Sequence, residues 1–197
     1  TVETPAGSGF FRIPLIGMGN AANVLAAIAV ALQFQIPLEE MVDVLGKFIP
    51  PHRRGFVTYL SHGVTVVDDS YNSNPTALQK SLESIGRTGG YRRRIAILGE
   101  MLELGERSKS LHHSCGKKAV EAGFERIVAI GGENVSALAA GGRDAGLDSG
   151  SVVLCGTSEE AAKIVSGLVE KEDLVLVKGS RGMRTELVVE RLKADWS

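Results

Sequence analysis

The sequence has 197 residues, of which 44% are hydrophobic, and a formal net charge of -1 at pH 7. This length and composition are sufficient for one substantial domain plus a smaller piece. The near-neutral net charge provides no excess of positive charge for binding the phosphates of a nucleic acid. Two cysteines are too few for a disulfide framework, and the longest apolar run, Val24 to Phe34, is too short to span a bilayer. We therefore expect a cytoplasmic globular protein, with neither nucleic acid nor a membrane as partner.

The first 47 residues predict a small, mainly helical region. Its predicted elements are a turn-rich strand segment, Thr1–Ile16, and helices at about Asn20–Phe34 and Leu38–Lys47. The first helix is apolar nearly all round, which indicates packing on more than one face. Because Pro50 and Pro51 interrupt any helix that follows, we place a domain boundary here, between residues 1–47 and residues 48–197.

From Gly55 onward, short β-rich segments alternate with helical patterns. The predicted strands are Phe56–Leu60 and Val64–Val67, which form a hairpin, and then Ile95–Leu98, Ile127–Ile130, Val152–Leu154 and Leu174–Val177. The predicted helices are Pro75–Ile85, Ser108–Ala122, Asn134–Ala145, Ser158–Val169 and Gly182–Leu192. This alternation predicts an α/β, Rossmann-like fold, with a mostly parallel sheet of about six strands, helices on both faces and an antiparallel edge strand.

In such a sheet, ligands bind beyond the carboxyl ends of the parallel strands. We therefore expect one shared edge for the loops that begin at Asp68, Gly99, Gly131, Cys155 and Lys178.

The first of these loops has the sequence Asp68-Asp69-Ser70-Tyr71-Asn72-Ser73-Asn74-Pro75. Paired carboxylates at the end of a strand can accept hydrogen bonds from ribose hydroxyls or hold a metal, and the Ser and Asn side chains can fix a ligand. The same residue types are ordinary in turns and at helix N-caps. From its residues alone, the segment leaves both interpretations open.

A second polar loop, Lys178-Gly179-Ser180-Arg181, follows a predicted strand and opens the last predicted helix. Backbone N–H groups, one hydroxyl and two cations would converge there, where a phosphate or a carboxylate would be stabilised. Solvated surface charges are the alternative. Glu100 and His112 permit an acid/base pair, but a Gly-Glu-Met turn and a helical histidine more often have structural roles, and we favour that interpretation.

Blocks that cover nearly the whole chain resemble the Mur ligase family, and in particular its D-alanyl-D-alanine-adding branch. In chain order they are Asn20-Ala21-Ala22-Asn23, Arg54, Asp68–Pro75, Leu98–Gly105 with Ser108, His112 and Gly116, and Val177–Arg184. The family usually has a histidine immediately before the first asparagine, where this sequence has Gly19.

The resemblance implies that residues 1–47 are the end of a central ATP-binding domain and residues 48–197 the C-terminal domain. It implies that Asn20, Asn23 and Arg54 line the adenosine end of an ATP site and that Asp69 contacts the ribose. Without it, the asparagines would be interpreted as helix caps and Arg54 as a solvated charge. Residues near D-alanyl-D-alanine would be Asn72, Asn74, Lys178, Ser180 and Arg181.

The implied reaction joins D-alanyl-D-alanine to UDP-N-acetylmuramoyl-tripeptide through an acyl phosphate, with ATP and Mg²⁺. The sequence contains no Gly-x-x-x-x-Gly-Lys-Ser/Thr phosphate loop. Phosphate and Mg²⁺ binding would therefore rest mainly on a central-domain segment outside this sequence, and we expect the chain alone not to hydrolyse ATP. The alternatives are a Mur-type ligase with a different amino-acid substrate and a non-catalytic, nucleotide-binding Rossmann-like module.

Overall fold

The computed structural model describes residues 1–14 and 17–197, without the side chain of Met18. Leu15 and Ile16, the last two residues of the predicted strand segment, lie outside the described residues. The described residues form two compact units, Thr1–Pro51 and His52–Ser197. The assignment of the first unit to the end of a central ATP-binding domain stays a prediction.

The first unit contains a short hairpin and two helices. The strands β1 (Val2–Thr4) and β2 (Gly7–Gly9) pair antiparallel, and the helices are α1 (Met18–Gln33) and α2 (Leu38–Gly46). Four buried side chains form its core: Val24, Ile28, Leu38 and Met41. Leu25 and Val30 on other faces of α1 are exposed, so this helix packs along one stripe within the unit.

The second unit is built on a six-stranded sheet. Its strands are β3 (Phe56–Tyr59), β4 (Thr65–Asp69), β5 (Arg93–Gly99), β6 (Arg126–Ile130), β7 (Val152–Cys155) and β8 (Asp173–Lys178). Their order is β3-β4-β8-β5-β6-β7, and every neighbouring pair is parallel except β3 with β4. The predicted hairpin, parallel sheet and antiparallel edge strand are confirmed.

Five helices cover the two faces of this sheet. They are α3 (Pro75–Gly86), α4 (Ser108–Glu121), α5 (Glu133–Asp144), α6 (Ser158–Leu168) and α7 (Glu186–Asp195). Because successive strand residues point to opposite faces, Ala96 and Leu98 of β5 join a core with α3 to α5, while Ile95 and Ile97 join a core with α6 and α7. The predicted α/β class with helices on both faces is therefore confirmed.

Helices α4 and α5 cross at very short range through two glycines. A Cβ atom on Gly116 would lie 1.9 Å from the carbonyl oxygen of Leu138, and one on Gly141 would lie 2.0 Å from that of His113. Real Cβ atoms do not approach backbone atoms this closely, so the crossing requires glycine at both positions. The glycine at position 116 therefore has a packing explanation.

The start predicted for the last helix, at Gly182, is wrong. Residues Arg181–Met183 form a 3-10 turn, and α7 begins only at Glu186. Arg184 between them has φ 53°, a left-handed conformation that interrupts any α-helix. The loop that begins at Lys178 therefore leads into a turn and does not open an α-helix directly. Among the described residues, no helix combines the length and the apolar character that crossing a membrane requires.

Candidate functional site

The carboxyl ends of the parallel strands bring the predicted loops to one edge of the sheet. Lys178 at the end of β8 is in register with Asp69 of β4 on one side and with Leu98 of β5 on the other. Gly99 is in register with Ile130, and Ile130 with Cys155. The prediction that these loops share an edge is confirmed.

The side chain of Lys178 is enclosed at this edge, with 4% of the residue exposed. Its Nζ donates to Oδ2 of Asp69 at 2.6 Å and to the carbonyl oxygen of Asn72 at 3.0 Å. The same Oδ2 accepts a hydrogen bond from Oγ of Ser81 at 2.9 Å. Lys178 therefore links β8 to the loop after β4, and it contacts the carboxylate that the family resemblance places at the ribose.

Asp68 and Asp69 do not act as a pair, because neighbouring residues of a strand face opposite sides of a sheet. Asp69 reaches Ser81 on α3. Asp68 accepts hydrogen bonds from the amide and hydroxyl of Ser70 and lines a cleft beside Val189 of α7. Among residues 1–14 and 17–197, no group of three or more His, Cys, Asp or Glu side chains is placed to hold a metal ion.

Ser180 joins three loops at the same edge. Its Oγ accepts a hydrogen bond from the amide of Leu102 at 3.0 Å and donates to the carbonyl oxygen of Ser73 at 3.4 Å. Its amide donates to the carbonyl oxygen of Glu100 at 3.3 Å. Since Ser180 is buried, its hydroxyl fixes the relative positions of these loops.

Asn72 and Asn74 are exposed and partly engaged in local turns. Oδ1 of Asn74 accepts from the amide of Ala77 at 2.9 Å, which caps α3. Oδ1 of Asn72 accepts from the amide of Ser73 at 2.8 Å. The turn and N-cap interpretation therefore holds for both side-chain oxygens in this structure.

Arg54 is exposed, and its guanidinium carbon lies 3.9 Å from the centre of the Tyr71 ring. This is the geometry of a cation–π contact. The preceding residue, Arg53, has a positive φ of 66°, and its carbonyl oxygen accepts from the amide of Tyr71 at 2.9 Å. The segment that carries Arg54 is thus attached to the loop after β4 by a backbone hydrogen bond and by ring stacking.

Arg181 shares the carboxylate of Glu186 with Arg53. Its side chain is 54% exposed and donates to Oε1 of Glu186 at 2.6 Å, and the same oxygen accepts from Arg53 at 3.1 Å. Burial alone would raise the pKa of Glu186, but the hydrogen bond from Arg181 and the charges of the two arginines outweigh it and lower the pKa. Glu186 in turn raises the pKa of Arg181.

Asn20 and Asn23 lie in the first unit, inside the first turns of α1. Helix α1 begins at Met18, and Gly17 occupies its N-cap position. The asparagines therefore lie within the helix and do not occupy the cap position.

Glu100 and His112 hold the loop after β5. Glu100 accepts hydrogen bonds from the amide of Gly132 at 2.8 Å and from the side chain of Asn134 at 2.7 Å. Nε2 of the fully buried His112 accepts from the amide of Met101 at 2.9 Å, so the ring proton lies on Nδ1, facing the carbonyl oxygen of Ser108 at 2.8 Å. Both contacts match the structural interpretation.

Three residues of this edge were not predicted from the sequence: Ser81, Tyr71 as a stacking partner, and Glu186. Tyr71 belongs to a block that the sequence singled out, so an aromatic residue in a polar loop was the available signal. Ser81 and Glu186 occupy ordinary helical positions, and their roles depend on contacts with distant segments.

The comparisons with known proteins agree with this fold. The family model for the Mur ligase, glutamate ligase domain matches residues 52–181. The UDP-N-acetylmuramoyl-tripeptide–D-alanyl-D-alanine ligase of Bacillus subtilis is 29% identical over 92% of this chain and 39% of its own length. The chain thus spans about two fifths of the length of the curated relatives it matches.

Two solved structures have a similar fold. A crystal structure of MurF from Acinetobacter baumannii matches 97% of this chain and 41% of its own, with a TM-score of 0.84 and 29% identity. The MurF ligase from Thermotoga maritima, crystallised in complex with ADP, matches 92% of this chain and 39% of its own, with a TM-score of 0.75 and 28% identity. From the family model and these similarities it follows that the chain belongs to the Mur ligase family.

Proposed function

We propose that this chain is the C-terminal part of an ATP-dependent, cytoplasmic ligase that joins D-alanyl-D-alanine to UDP-N-acetylmuramoyl-tripeptide in peptidoglycan precursor synthesis. The relative from Bacillus subtilis carries the name of that activity, and the structure from Thermotoga maritima contains ADP. The observation that carries the proposal is an ion pair at the edge of the sheet. There the loop after β4 and the loop after β8, both family blocks, are joined through Lys178 and Asp69 at 2.6 Å.

In the proposed reaction, the terminal carboxylate of the tripeptide attacks the γ-phosphorus of ATP, which gives an acyl phosphate and ADP. The amine of D-alanyl-D-alanine then attacks the acyl carbon, phosphate leaves, and the nitrogen loses a proton as the amide forms. Mg²⁺ would neutralise charge on the phosphates, held mainly by residues outside this sequence. The contribution of this chain is to bind and orient the nucleoside and the dipeptide.

Arg54 and Asp69 are the proposed nucleoside contacts in the second unit. The Arg54 guanidinium has Tyr71 on one face, and its other face would stack on a purine while its N–H groups donate hydrogen bonds. The hydrogen bonds from Lys178 and Ser81 both reach Oδ2 of Asp69. Within the described residues Oδ1 has no hydrogen-bond donor, and it would accept from a ribose hydroxyl. The roles of Asn20 and Asn23 stay predictions from the family resemblance.

The proposed dipeptide contacts divide into two kinds. Lys178 and Ser180 are buried and bonded to neighbouring loops, so we assign them to the shape of the site. Arg181 is exposed and belongs to the same edge, so it is the cation that we expect to bind the dipeptide carboxylate, with Asn72 and Asn74 beside it.

The test is the steady-state kinetics of full-length ligase variants. Arg181→Ala should raise the KM for D-alanyl-D-alanine on the order of tenfold or more, because it removes a charge-assisted hydrogen bond, and should leave the KM for ATP nearly unchanged. Arg54→Ala should raise the KM for ATP, because it removes an interaction made in both the ground state and the transition state.

Arg184→Ala is the matched control, since Arg184 is similarly exposed and pairs with Glu159 on the surface. Lys178→Ala should raise both KM values, because its ammonium also holds Asp69. If Arg181→Ala raises the KM for ATP and leaves that for the dipeptide unchanged, the loop serves the nucleotide and the assignment is wrong.

A further inference from the structure

Arg54 is attached to the rest of its unit by a chain of three contacts. Its guanidinium carbon lies 3.9 Å from the centre of the Tyr71 ring. The amide of Tyr71 donates to the carbonyl oxygen of Arg53 at 2.9 Å. The guanidinium of Arg53 donates to Oε1 of Glu186 at 3.1 Å. The backbone and side chain of Arg53 are therefore held from two sides, directly next to Arg54.

The backbone at Arg53 needs such support. Its φ of 66° lies in the left-handed region, which residues other than glycine seldom adopt. A non-glycine residue stays there only when surrounding contacts determine its conformation. If the backbone of Arg53 changed to a negative φ, the chain direction would change at the next residue, and Arg54 would move away from Tyr71.

Glu186 is suited to provide that support because it is itself fixed. Its side chain is 8% exposed, and Oε1 accepts from both Arg53 and Arg181. Among the described residues its second oxygen, Oε2, is buried without a hydrogen-bond partner. Glu190 lies further from Arg53, at 3.9 Å, and is 63% exposed, so it is a much weaker partner.

We propose that Glu186 and Tyr71 are positioning residues that orient the guanidinium of Arg54 toward its ligand. The proposal rests on the nucleoside role proposed for Arg54. An exposed arginine samples many rotamers, and fixing it on binding costs conformational entropy. Stacking on Tyr71 restricts those rotamers beforehand, so the free-energy cost of binding falls. Neither Glu186 nor Tyr71 needs to touch the nucleotide for this effect.

The direct test is side-chain NMR of Arg54 in the 197-residue chain. In the wild type, the Nε–H group of Arg54 should show a ring-current shift and a high order parameter. Tyr71→Leu should abolish both, and Tyr71→Phe should retain both, because the ring face is preserved. Glu186→Gln should lower the order parameters of Arg53 and Arg54, because the charge that holds Arg53 is lost.

Two matched controls accompany these variants. Tyr59→Leu removes a tyrosine that is 78% exposed, and Glu190→Gln removes the exposed carboxylate near Arg53. Both should leave the Arg54 signals unchanged. If the Arg54 signal is equally mobile in the wild type and in Tyr71→Leu, or if Glu190→Gln acts as strongly as Glu186→Gln, the proposal is overturned.

Kinetics of the full-length ligase separate this proposal from the one on which it rests. A cation–π contact at an exposed site corresponds to about a two- to fivefold change in affinity. Tyr71→Leu should therefore raise the KM for ATP by about that factor, with kcat unchanged, and should add nothing in an Arg54→Ala background. An unchanged KM in Arg54→Ala would refute the nucleoside role of Arg54. Wild-type Arg54 shifts and order parameters in both Tyr71→Leu and Glu186→Gln, with Arg54→Ala still impaired, would refute only the positioning role.

Discussion

Individual charged residues at the sheet edge fall into two groups. Lys178 and Glu186 are buried and hydrogen-bonded to groups from distant segments. Arg54 and Arg181 are exposed; Arg54 contacts the Tyr71 ring in the loop after β4, and Arg181 pairs with Glu186 at the start of α7. The buried pair fixes the loops, because desolvated charges with several partners have little freedom, and the exposed pair remains accessible to ligands.

Lys178 provides a test of the buried group. Lys178→Met should lower the free energy of unfolding by about 3 kcal/mol, because removing one partner of a buried ion pair leaves the other charge uncompensated. Urea unfolding followed by circular dichroism measures this value. Lys80→Met, at an exposed lysine of α3, should change it by less than about 0.5 kcal/mol. Equal effects of the two substitutions would show that the Lys178–Asp69 contact does not stabilise the fold.

The lowered pKa of Glu186 predicts a pH dependence of stability. A carboxyl group whose pKa is lower in the folded state stabilises the fold above its unfolded-state pKa, and this contribution is lost as the pH falls through the folded value. The difference in unfolding free energy between the wild type and Glu186→Gln should therefore be constant from neutral pH down to about pH 5. It should shrink as the pH falls below the ordinary value of 4.5. Urea unfolding as a function of pH measures it, and a difference that grows on acidification would contradict the lowered pKa.

At the scale of elements, the crossing of α4 and α5 depends on glycine. Gly116→Ala should destabilise the chain by about 1 to 3 kcal/mol, because its Cβ would overlap the backbone of α5. Gly167→Ala is the matched control, since nothing lies within 4 Å of a Cβ on this helical residue of α6. It should stabilise by about 0.4 to 1 kcal/mol. Thermal unfolding distinguishes the two, and a Gly116→Ala variant as stable as wild type would show that the helices separate readily.

The elements were largely predictable because apolar strands and amphipathic helices alternate along the chain. The convergence of Asp69 and Lys178 followed from the topology, since both end parallel strands. Their ion pair was not predictable, because it joins residues 109 positions apart and depends on the order of the strands in the sheet. The start of α7 was mispredicted because the spacing of apolar residues does not reveal the left-handed turn at Arg184. The side chain of Arg184 pairs with Glu159.

At the scale of the whole molecule, the second unit is a Mur ligase domain whose sheet edge fixes two loops and presents two exposed arginines beside them. The same fold occurs in ligases with other names, including an alanine ligase that is 18% identical to this chain. Fold alone therefore leaves the amino-acid substrate open, and the choice of substrate has to be measured.

The most direct measurement is the acceptor specificity of the full-length ligase. The enzyme would be supplied with ATP, Mg²⁺, UDP-N-acetylmuramoyl-tripeptide and either D-alanyl-D-alanine, D-alanine, glutamate or diaminopimelate, with products identified by mass spectrometry. The proposed function predicts one ADP released for each D-alanyl-D-alanine added, a product larger by the dipeptide less one water, and no product with the other acceptors. Efficient addition of a single amino acid, or ADP release without amide formation in the presence of the dipeptide, would contradict it.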